Sequence, residues 1–380
     1  MTALALPESP ATARGRFVIE PVRPIGVPEV AAFLHRYGQG DPVPATERPA
    51  REALATIERH LQWLLIDNPL ASPEADIGLC IRDEAGAMAG LDLFFRGAFL
   101  AGSGRRLLGL GSGTYFVEPR ARMLGYFLFT RYLRTAGYDM FYSTTCNASS
   151  AALWASMGAT AVSASDIEYL LPFRFDVLLP ALLGRRTTSG AVARLARLGA
   201  RCATPVLTRL ARRRPRLTVS RCADWDKLAE LARRHRPADL ITSDRSAALL
   251  QWRYGPSSPN QPFDVHRIAD ARGNEGWFAL GSIRRGRQRE IRGRVLLDAI
   301  WPRSAMSFTD VLSAVAGAAA PGTDALYLNR RPGIGDGDWS RWLLPWRLES
   351  PRHFAVAAKG RPALPVEQLD LVAADGDGAF

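Results

Sequence analysis

Apolar residues along this chain fall into short alternating runs separated by stretches with helical spacing. Residues 16–22 (RFVIEPV) alternate as a strand does, and 27–37 carry apolar residues at helical intervals behind a proline near the start. A second helical pattern runs from about 48 to 66, with Leu54, Ile57, Leu61, Leu64 and Leu65 on related faces, and stops before Asn68-Pro69. Residues 77–82 and 87–95 flank the turn 83–86 and predict a hairpin. Residues 107–117 predict a longer strand whose Gly109, Gly111 and Gly113 point to a bulge or a close backbone approach. A helix over 122–134, a strand over 139–145, a helix over 149–157 and a strand over 167–171 follow.

From Leu217 the order begins again. A strand (217–220), a helix (225–234), a segment ending in a tryptophan (246–254), two extended runs (263–268 and 277–284), a strand (293–300), a helix (308–319) and a strand (325–329) match the first half element for element. Even the tryptophan segments correspond, LQW at 61–63 and again at 250–252. A repeat of this length means duplicated domains rather than a solenoid. In each half a long strand, a helix and a short strand in succession predict a crossover between parallel strands. The first crossover enters its helix straight from the strand end at 117, across Pro119. Such a start leaves unpaired amides and a positive dipole end, a ready place for an anion such as pyrophosphate.

Composition adds two constraints. A chain of 380 residues exceeds one ordinary core, so two domains are expected. The net charge of +12 is concentrated: between 174 and 216 eleven arginines face the single acid Asp176, a net of +10. Nucleic acid is therefore not the expected partner, because the charge belongs to one segment rather than a groove along the whole chain. That segment reads as a basic amphipathic connector, either solvated between domains or lying on an anionic membrane face. The expected division is a flexible N-terminus (1–15), a first domain (16–172), the connector (173–216), a second domain (217–350) and a C-terminal tail (351–380). Residues 1–16 show no signal-peptide pattern, no apolar run is long enough to cross a bilayer, and the four cysteines have no metal-ligand spacing. A cytoplasmic protein with reduced thiols is the expectation, and the five scattered histidines lack the spacing of a metal site.

The turn at 122–127 and the helix that opens at Asn147 carry a resemblance. Arg122-Met123-Leu124-Gly125-Tyr126-Phe127 is similar to the (Q/R)xxGx(G/A) run of the GNAT superfamily of N-acetyltransferases at its first two fixed positions, with Phe127 at the third. Asn147 and the run Leu153-Trp154-Ala155-Ser156-Met157-Gly158-Ala159 resemble the family's later asparagine and its LYxKxGF ending, with Trp154 in place of tyrosine. The repeated layout looks like a double-domain member with a degenerate second domain. The resemblance implies an α/β (α+β) fold of two tandem domains, each a mixed, mostly antiparallel twisted sheet flanked by helices. It also implies an acyl-CoA co-substrate, acetyl-CoA in first place, bound by the amides and side chains of Phe116, Val117, Arg122, Met123, Leu124, Gly125, Tyr126, Phe127 and Asn147, with no metal.

Acyl transfer to an amine needs a carbonyl polarised by fixed donors, an amine freed of its proton, and reactants held close. The amides of Phe116 and Val117 at a splayed strand end are the expected donors. Glu118 is the nearest carboxylate and the candidate base, with a surface pair to Arg120 or Arg122 as its other reading; Asp92 is a second carboxylate, in a base or a structural role. An indole N–H is too weak an acid to replace the family's tyrosine, so Tyr126, Tyr142 and Cys146 are the candidate proton donors. In the second half Asp298, Trp301, Arg253 and Tyr254 are candidates for an acceptor pocket between the domains, each with a buried structural role as its alternative. The leading expectation is a cytoplasmic acyl-CoA-dependent N-acyltransferase acting on an amine of a small, envelope or natural-product acceptor, anionic or lipid-linked, with a peripheral position at the inner face of the membrane as a variant of that reading. The others are an aminoacyl-tRNA-dependent transferase of the peptidoglycan-bridge type and a non-catalytic module at the membrane.

Overall fold

The computed structural model describes residues 17–38, 48–102, 104–178, 216–259, 263–285, 291–332, 334 and 344–375. The first half contains β1 (Val18–Val22), α1 (Val27–Gly38), α2 (Arg48–Leu61, prolonged by a π-helical turn Gln62–Ile66), β2 (Gly78–Arg82), β3 (Met88–Leu100) and β4 (Arg106–Val117). It continues through α3 (Arg122–Tyr132), β5 (Met140–Ser143), α4 (Ala148–Ser156), β6 (Thr160–Ala161) and β7 (Ile167–Pro172). The second half contains β8 (Thr218–Arg221), α5 (Trp225–Arg234), β9 (Ile241–Ser243), α6 (Ala247–Tyr254), β10 (Asp264–Ala269), β11 (Glu275–Arg285), β12 (Ile291–Ile300), α7 (Phe308–Ala319) and β13 (Ala325–Asn329). Three strands close the chain: β14 (Leu344–Arg347), β15 (Phe354–Ala357) and β16 (Leu369–Asp370). The periodicity of the sequence located most of these elements, but not β6, β9, β14, β15 or β16. Most of the basic connector, 179–215, lies outside the described residues.

Two sheets result, with strand orders β1-β2-β3-β4-β5-β15-β6 and β8-β10-β11-β12-β13-β7-β14. Position by position the orders match. In each, neighbours along the order are antiparallel except the central pair, β4 with β5 and β12 with β13, whose parallel pairing is bridged by α3 and α7. The sixth place is exchanged between the halves: β7 of the first half pairs with β13 in the second sheet, and β15 from the end of the chain pairs with β5 in the first. The divisions at 172 and 350 thus do not separate the sheets, and 354–357 and 369–370 are strands rather than tail. The physical reason is that β6, only two residues long, pairs with β15 and not with β5, so the edge of β5 from Met140 to Ser143 is covered by β15.

The repeated LQW segments meet at the centre of this arrangement. Trp63 at the end of α2 and Trp252 on α6 stack with centroids 4.8 Å apart and planes 19° from parallel. Each indole Nε1–H donates to the other's backbone carbonyl at 2.9 Å. Residue and partner exchange roles, as across a two-fold dimer interface, so the duplicated halves face each other about a local pseudo-dyad. A buried ionic layer sits nearby: Arg245 donates to both oxygens of Asp298 (2.6 and 2.9 Å), and Arg331 to both oxygens of Asp370 (3.1 and 2.6 Å).

Candidate active site

The chemistry-bearing turn is built by the way β4 leaves its neighbours. β4 runs against β3 over its whole length, but the register slips between Asp92 and Phe94, opposite Tyr115 and Ser112, so Gly113 and Thr114 form a bulge. On its other edge β4 pairs with β5 only at Gly109–Gly111, against Met140–Tyr142. The glycines permit this approach: a Cβ at Gly109 would lie 2.8 Å from the Phe99 ring and 2.9 Å from that of Tyr142. Beyond Gly111 the strands part, and among the described residues no strand pairs with that edge of β4 from Ser112 to Val117. Unpaired backbone donors on a parting strand are what a developing oxyanion requires.

Immediately after this edge the chain makes a 3-10 turn, Pro119–Ala121, and enters α3 with Ala121 as a cap that offers no side-chain acceptor. The Arg122 amide donates back to the Pro119 carbonyl, so it is the amides after it in the first turn that, without a side-chain cap, are left for an outside acceptor. Arg122 is exposed and pairs with no carboxylate among the described residues, an arrangement that costs energy at a helix N-terminus unless an anion is present. Gly125 is buried against the sheet, and a Cβ there would come within 2.5 Å of the Tyr115 hydroxyl. Leu124 is half-buried, while Met123, Tyr126 and Phe127 are exposed, Phe127 at 59%. The phenyl ring at the third motif position therefore sits on the outer face of α3, edge-on to Tyr126, and does not plug the turn.

The candidate catalytic residues are not brought together. Glu118 is buried, with Oε1 accepting from the Tyr37 hydroxyl and Oε2 from Arg120 Nε at 2.5 Å, while Arg120 also reaches Asp83 at 2.7 Å. This is the ion-pair reading of Glu118; both oxygens are occupied, and the carboxylate is poorly placed to take a proton from an amine. Tyr126 is exposed on α3. Tyr142 is buried on the opposite side of the sheet, packed edge-on against Phe95 and Phe99. Cys146 is buried, and its amide donates to the Arg352 carbonyl at 2.9 Å. Asn147 caps α4: its Oδ1 accepts from Ser150 N at 3.0 Å, and Ser150 Oγ accepts from Asn147 N at 2.9 Å. Trp154 belongs to the core with Phe129 and Tyr132. Asp92 is fully buried, with Oδ1 accepting from Ser112 Oγ at 2.9 Å, so its position fits the structural reading.

Tyr115 was not singled out by the sequence, and it is the tyrosine at the turn. Burial, and after it the Asp92 carboxylate across the ladder, push its pKa up to about 12, so it remains a hydroxyl donor at neutral pH. The signal that marks it is its place one residue past the bulge, which only strand register reveals.

Of the candidate acceptor residues, Arg253, Tyr254 and Asp298 line one small polar cavity of about 30 Å³ between the halves, together with Tyr142 and Asp375. Arg253 reaches Asp375 at 3.3 Å, and burial raises the Asp375 pKa. Trp301 lies elsewhere, in the apolar core of the second half beside Phe308, and Asp92 is not part of the cavity.

The second sheet supplies an internal contrast. β12 and β13 pair only at Gly293–Val295 against Ala325–Tyr327 and then part in the same way. Here Arg331 fills the gap, its Nη1 donating to the Ala299 carbonyl at 2.7 Å while Asp370 holds its other nitrogens. Trp301, Phe308, Ile334 and Val372 close around a residual cavity of about 20 Å³. α7 is capped by Ser307, whose Oγ accepts from Asp310 N at 3.1 Å. The second splay is occupied by the chain itself, as expected of a degenerate copy.

Among the described residues no cluster of His, Cys, Asp or Glu has a metal-binding arrangement, and no helix is long and apolar enough to cross a membrane. No protein-family signature and no curated protein sequence matches this chain. Solved structures do. The GCN5-related glucosamine N-acetyltransferase region of a fungal multi-domain GH3 beta-N-acetylglucosaminidase is similar over 90% of this chain at 11% identity, with a TM-score of 0.50. The match covers 38% of the fungal chain, so the present chain corresponds to a minor part of that protein. N-myristoyltransferase of Saccharomyces cerevisiae with bound myristoyl-CoA is similar over 91% of this chain and 80% of its own (11% identity, TM-score 0.49). Eis1 from Mycobacterium abscessus is similar over 90% and 74% respectively (14% identity, TM-score 0.46). With the bulged fourth strand, the splay and the paired strand orders in place, the chain has the GCN5-related N-acetyltransferase fold in two tandem copies.

Proposed function

We propose that the first half is an acyl-CoA-dependent N-acyltransferase, acetyl-CoA being the donor, and that the second half shapes the acceptor side. The observation that supports this reading is the difference between the two splays: Arg331 donates to the Ala299 carbonyl across the second, whereas among the described residues no arginine spans the first, where the Tyr132 hydroxyl donates to the carbonyls of Leu110 (2.6 Å) and Tyr142 (3.5 Å) at the closed end. The donor set suits a pyrophosphate, with a helix start that has no side-chain cap, an Arg122 with no carboxylate partner among the described residues and a glycine at 125. When bound, acyl-CoA would supply the thioester. The Arg122 side chain and the amides that follow it in the first turn of α3 hold the phosphates, and the Val117 amide on the free edge of β4 polarises the carbonyl, that of Phe116 being turned towards β3. Tyr115, kept protonated, is the proton donor to the departing thiolate in place of the tyrosine that Trp154 replaces. Arg253, Tyr254 and the cavity they share with Tyr142 lie on the acceptor side, where a small amine carrying an anionic group would find a guanidinium.

Thermal denaturation of the full chain with acetyl-CoA tests the reading. Saturation at a hundred times Kd adds about 2.7 kcal/mol, which for a chain of 380 residues raises Tm by roughly 3 °C. Gly125→Val should abolish the shift, and Tyr115→Phe should keep it while lowering turnover. No shift with acetyl-CoA or a longer acyl-CoA refutes the reading.

A further inference from the structure

The largest groove among those described lies in the second half, far from the turn at Arg122 in the chain and built on the other sheet. It has a volume of about 660 Å³ and sits where the face of β11 and β12 meets the C-terminal end of α7. Four arginines line it: Arg221 from β8, Arg284 from β11, and Arg292 and Arg294 from β12. The register makes their arrangement specific. Arg284 lies directly opposite Arg292 across the antiparallel ladder, and Ser282 directly opposite Arg294, so the four side chains form a square on one face. Like charges set opposite each other destabilise a sheet, and neither Arg284 nor Arg292 packs into the core to offset that cost.

The remaining contacts hold the cations in place rather than neutralise them. Asp264 on β10 accepts from Arg294 Nη2 and, through its other oxygen, from Arg221 at 2.7 Å. Arg294 Nη1 donates to Ser282 Oγ at 2.8 Å. Arg292 leans on Asp324 at 3.7 Å, and among the described residues Arg284 has no acidic partner. Among the described residues, two carboxylates and the end of α7, whose dipole is worth about half a negative charge, stand against four guanidinium groups, an excess of about one and a half positive charges. Planar guanidinium forks fixed around a groove of this size are suited to the oxygens of phosphate groups.

We propose that this groove is a second anion site that binds a phosphate-bearing ligand, either a soluble phosphorylated molecule or the headgroup of an acidic phospholipid. It is independent of the acyl-CoA turn. Titration calorimetry of the full chain at low salt, with inorganic pyrophosphate as one probe, tests it alongside co-flotation with phosphatidylcholine vesicles with and without phosphatidic acid. The variants are Arg284→Ser/Arg292→Ser in the groove and Arg122→Ser at the first-half turn. The proposal expects at least one probe still to bind Arg122→Ser, in which the first-half turn has lost its guanidinium, and that remaining binding to fall about tenfold for each guanidinium then removed from the groove in the same background. Binding should weaken as salt rises. Pyrophosphate alone would identify a soluble ligand, and vesicles alone a lipid headgroup. Arg284→Ser alone, which removes the repulsion and no ion pair among the described residues, should melt no lower than the wild type without anion, whereas Arg292→Ser also gives up its contact with the buried Asp324. A groove variant that binds both probes like the wild type, a wild type that binds neither, or an Arg284→Ser variant that melts well below the wild type would each overturn the proposal.

Discussion

Replacing Trp63 and Trp252 by alanine, singly and together, probes the junction on which the two halves turn. Both indoles are buried and each loses one N–H donor bond, so each single replacement should cost about 3–5 kcal/mol, the range for truncating a buried tryptophan. For a chain of 380 residues, about 4 kcal/mol is a fall in Tm of roughly 5 °C. The coupling between the two is set by geometry. Each indole bonds to its partner's backbone carbonyl, which survives truncation of the partner side chain, so the hydrogen bonds are not shared between the mutated groups. Only the ring stack and the common cavity couple, and the double variant should be less destabilised than the sum of the singles by about 0.5–1.5 kcal/mol. Because the contact is reciprocal, the two singles should cost nearly the same. Urea denaturation followed by far-UV circular dichroism measures all four corners of the cycle. Single variants differing by more than about 2 kcal/mol, or a double variant additive within about 0.3 kcal/mol, would refute the pseudo-dyad as an energetic unit.

Three further outcomes follow from buried charge and from the turn. Asp298→Asn leaves Arg245 without its bidentate partner and should destabilise by about 3–5 kcal/mol in chemical denaturation, whereas Arg245→Met/Asp298→Leu should recover much of the loss. Burial lowers the pKa of His353 from 6.5 to about 4, so the folded state prefers the neutral ring; its contribution is complete above pH 6.5 and falls away as pH drops towards 4, by roughly 3 kcal/mol. His353→Gln should flatten that part of the stability profile, while the raised pKa of Asp375 acts in the opposite sense. A profile equally steep in the variant would exclude His353 as the cause. At the turn, Gly125→Ala must displace the Tyr115 hydroxyl, and the paired variant Gly125→Ala/Tyr115→Phe should regain part of any loss in acetyl-CoA binding measured by thermal shift.

The elements were legible because each carries its own period. Residues 225–234, 308–319 and 325–329 were bounded from spacing alone at the limits the fold shows. The duplication was legible for the same reason, down to the two LQW segments. The candidate site was legible only in part. The glycines of β4 and the opening of α3 announced the turn, but Glu118, Tyr126 and Tyr142 were grouped by proximity in sequence. A strand that alternates faces sends Tyr142 to the far side of the sheet, and Arg120 and Tyr37 claim the oxygens of Glu118.

The amino-acid sequence by itself determined the local order: which segments are strands and helices, where glycine lets backbones approach, and that the pattern occurs twice. Those properties rest on interactions a few residues apart. Tertiary structure decided which edge each strand joins, because a strand offers the same hydrogen bonds to any partner and only the competition for the edges of β5 and β13 assigns β15 and β7. It also decided that the second splay is filled, since Arg331 reaches Ala299 only after the chain has folded back upon itself. The tyrosine at the turn is Tyr115 for the same reason: the bulge that places it beside Gly125 is a property of two strands in register.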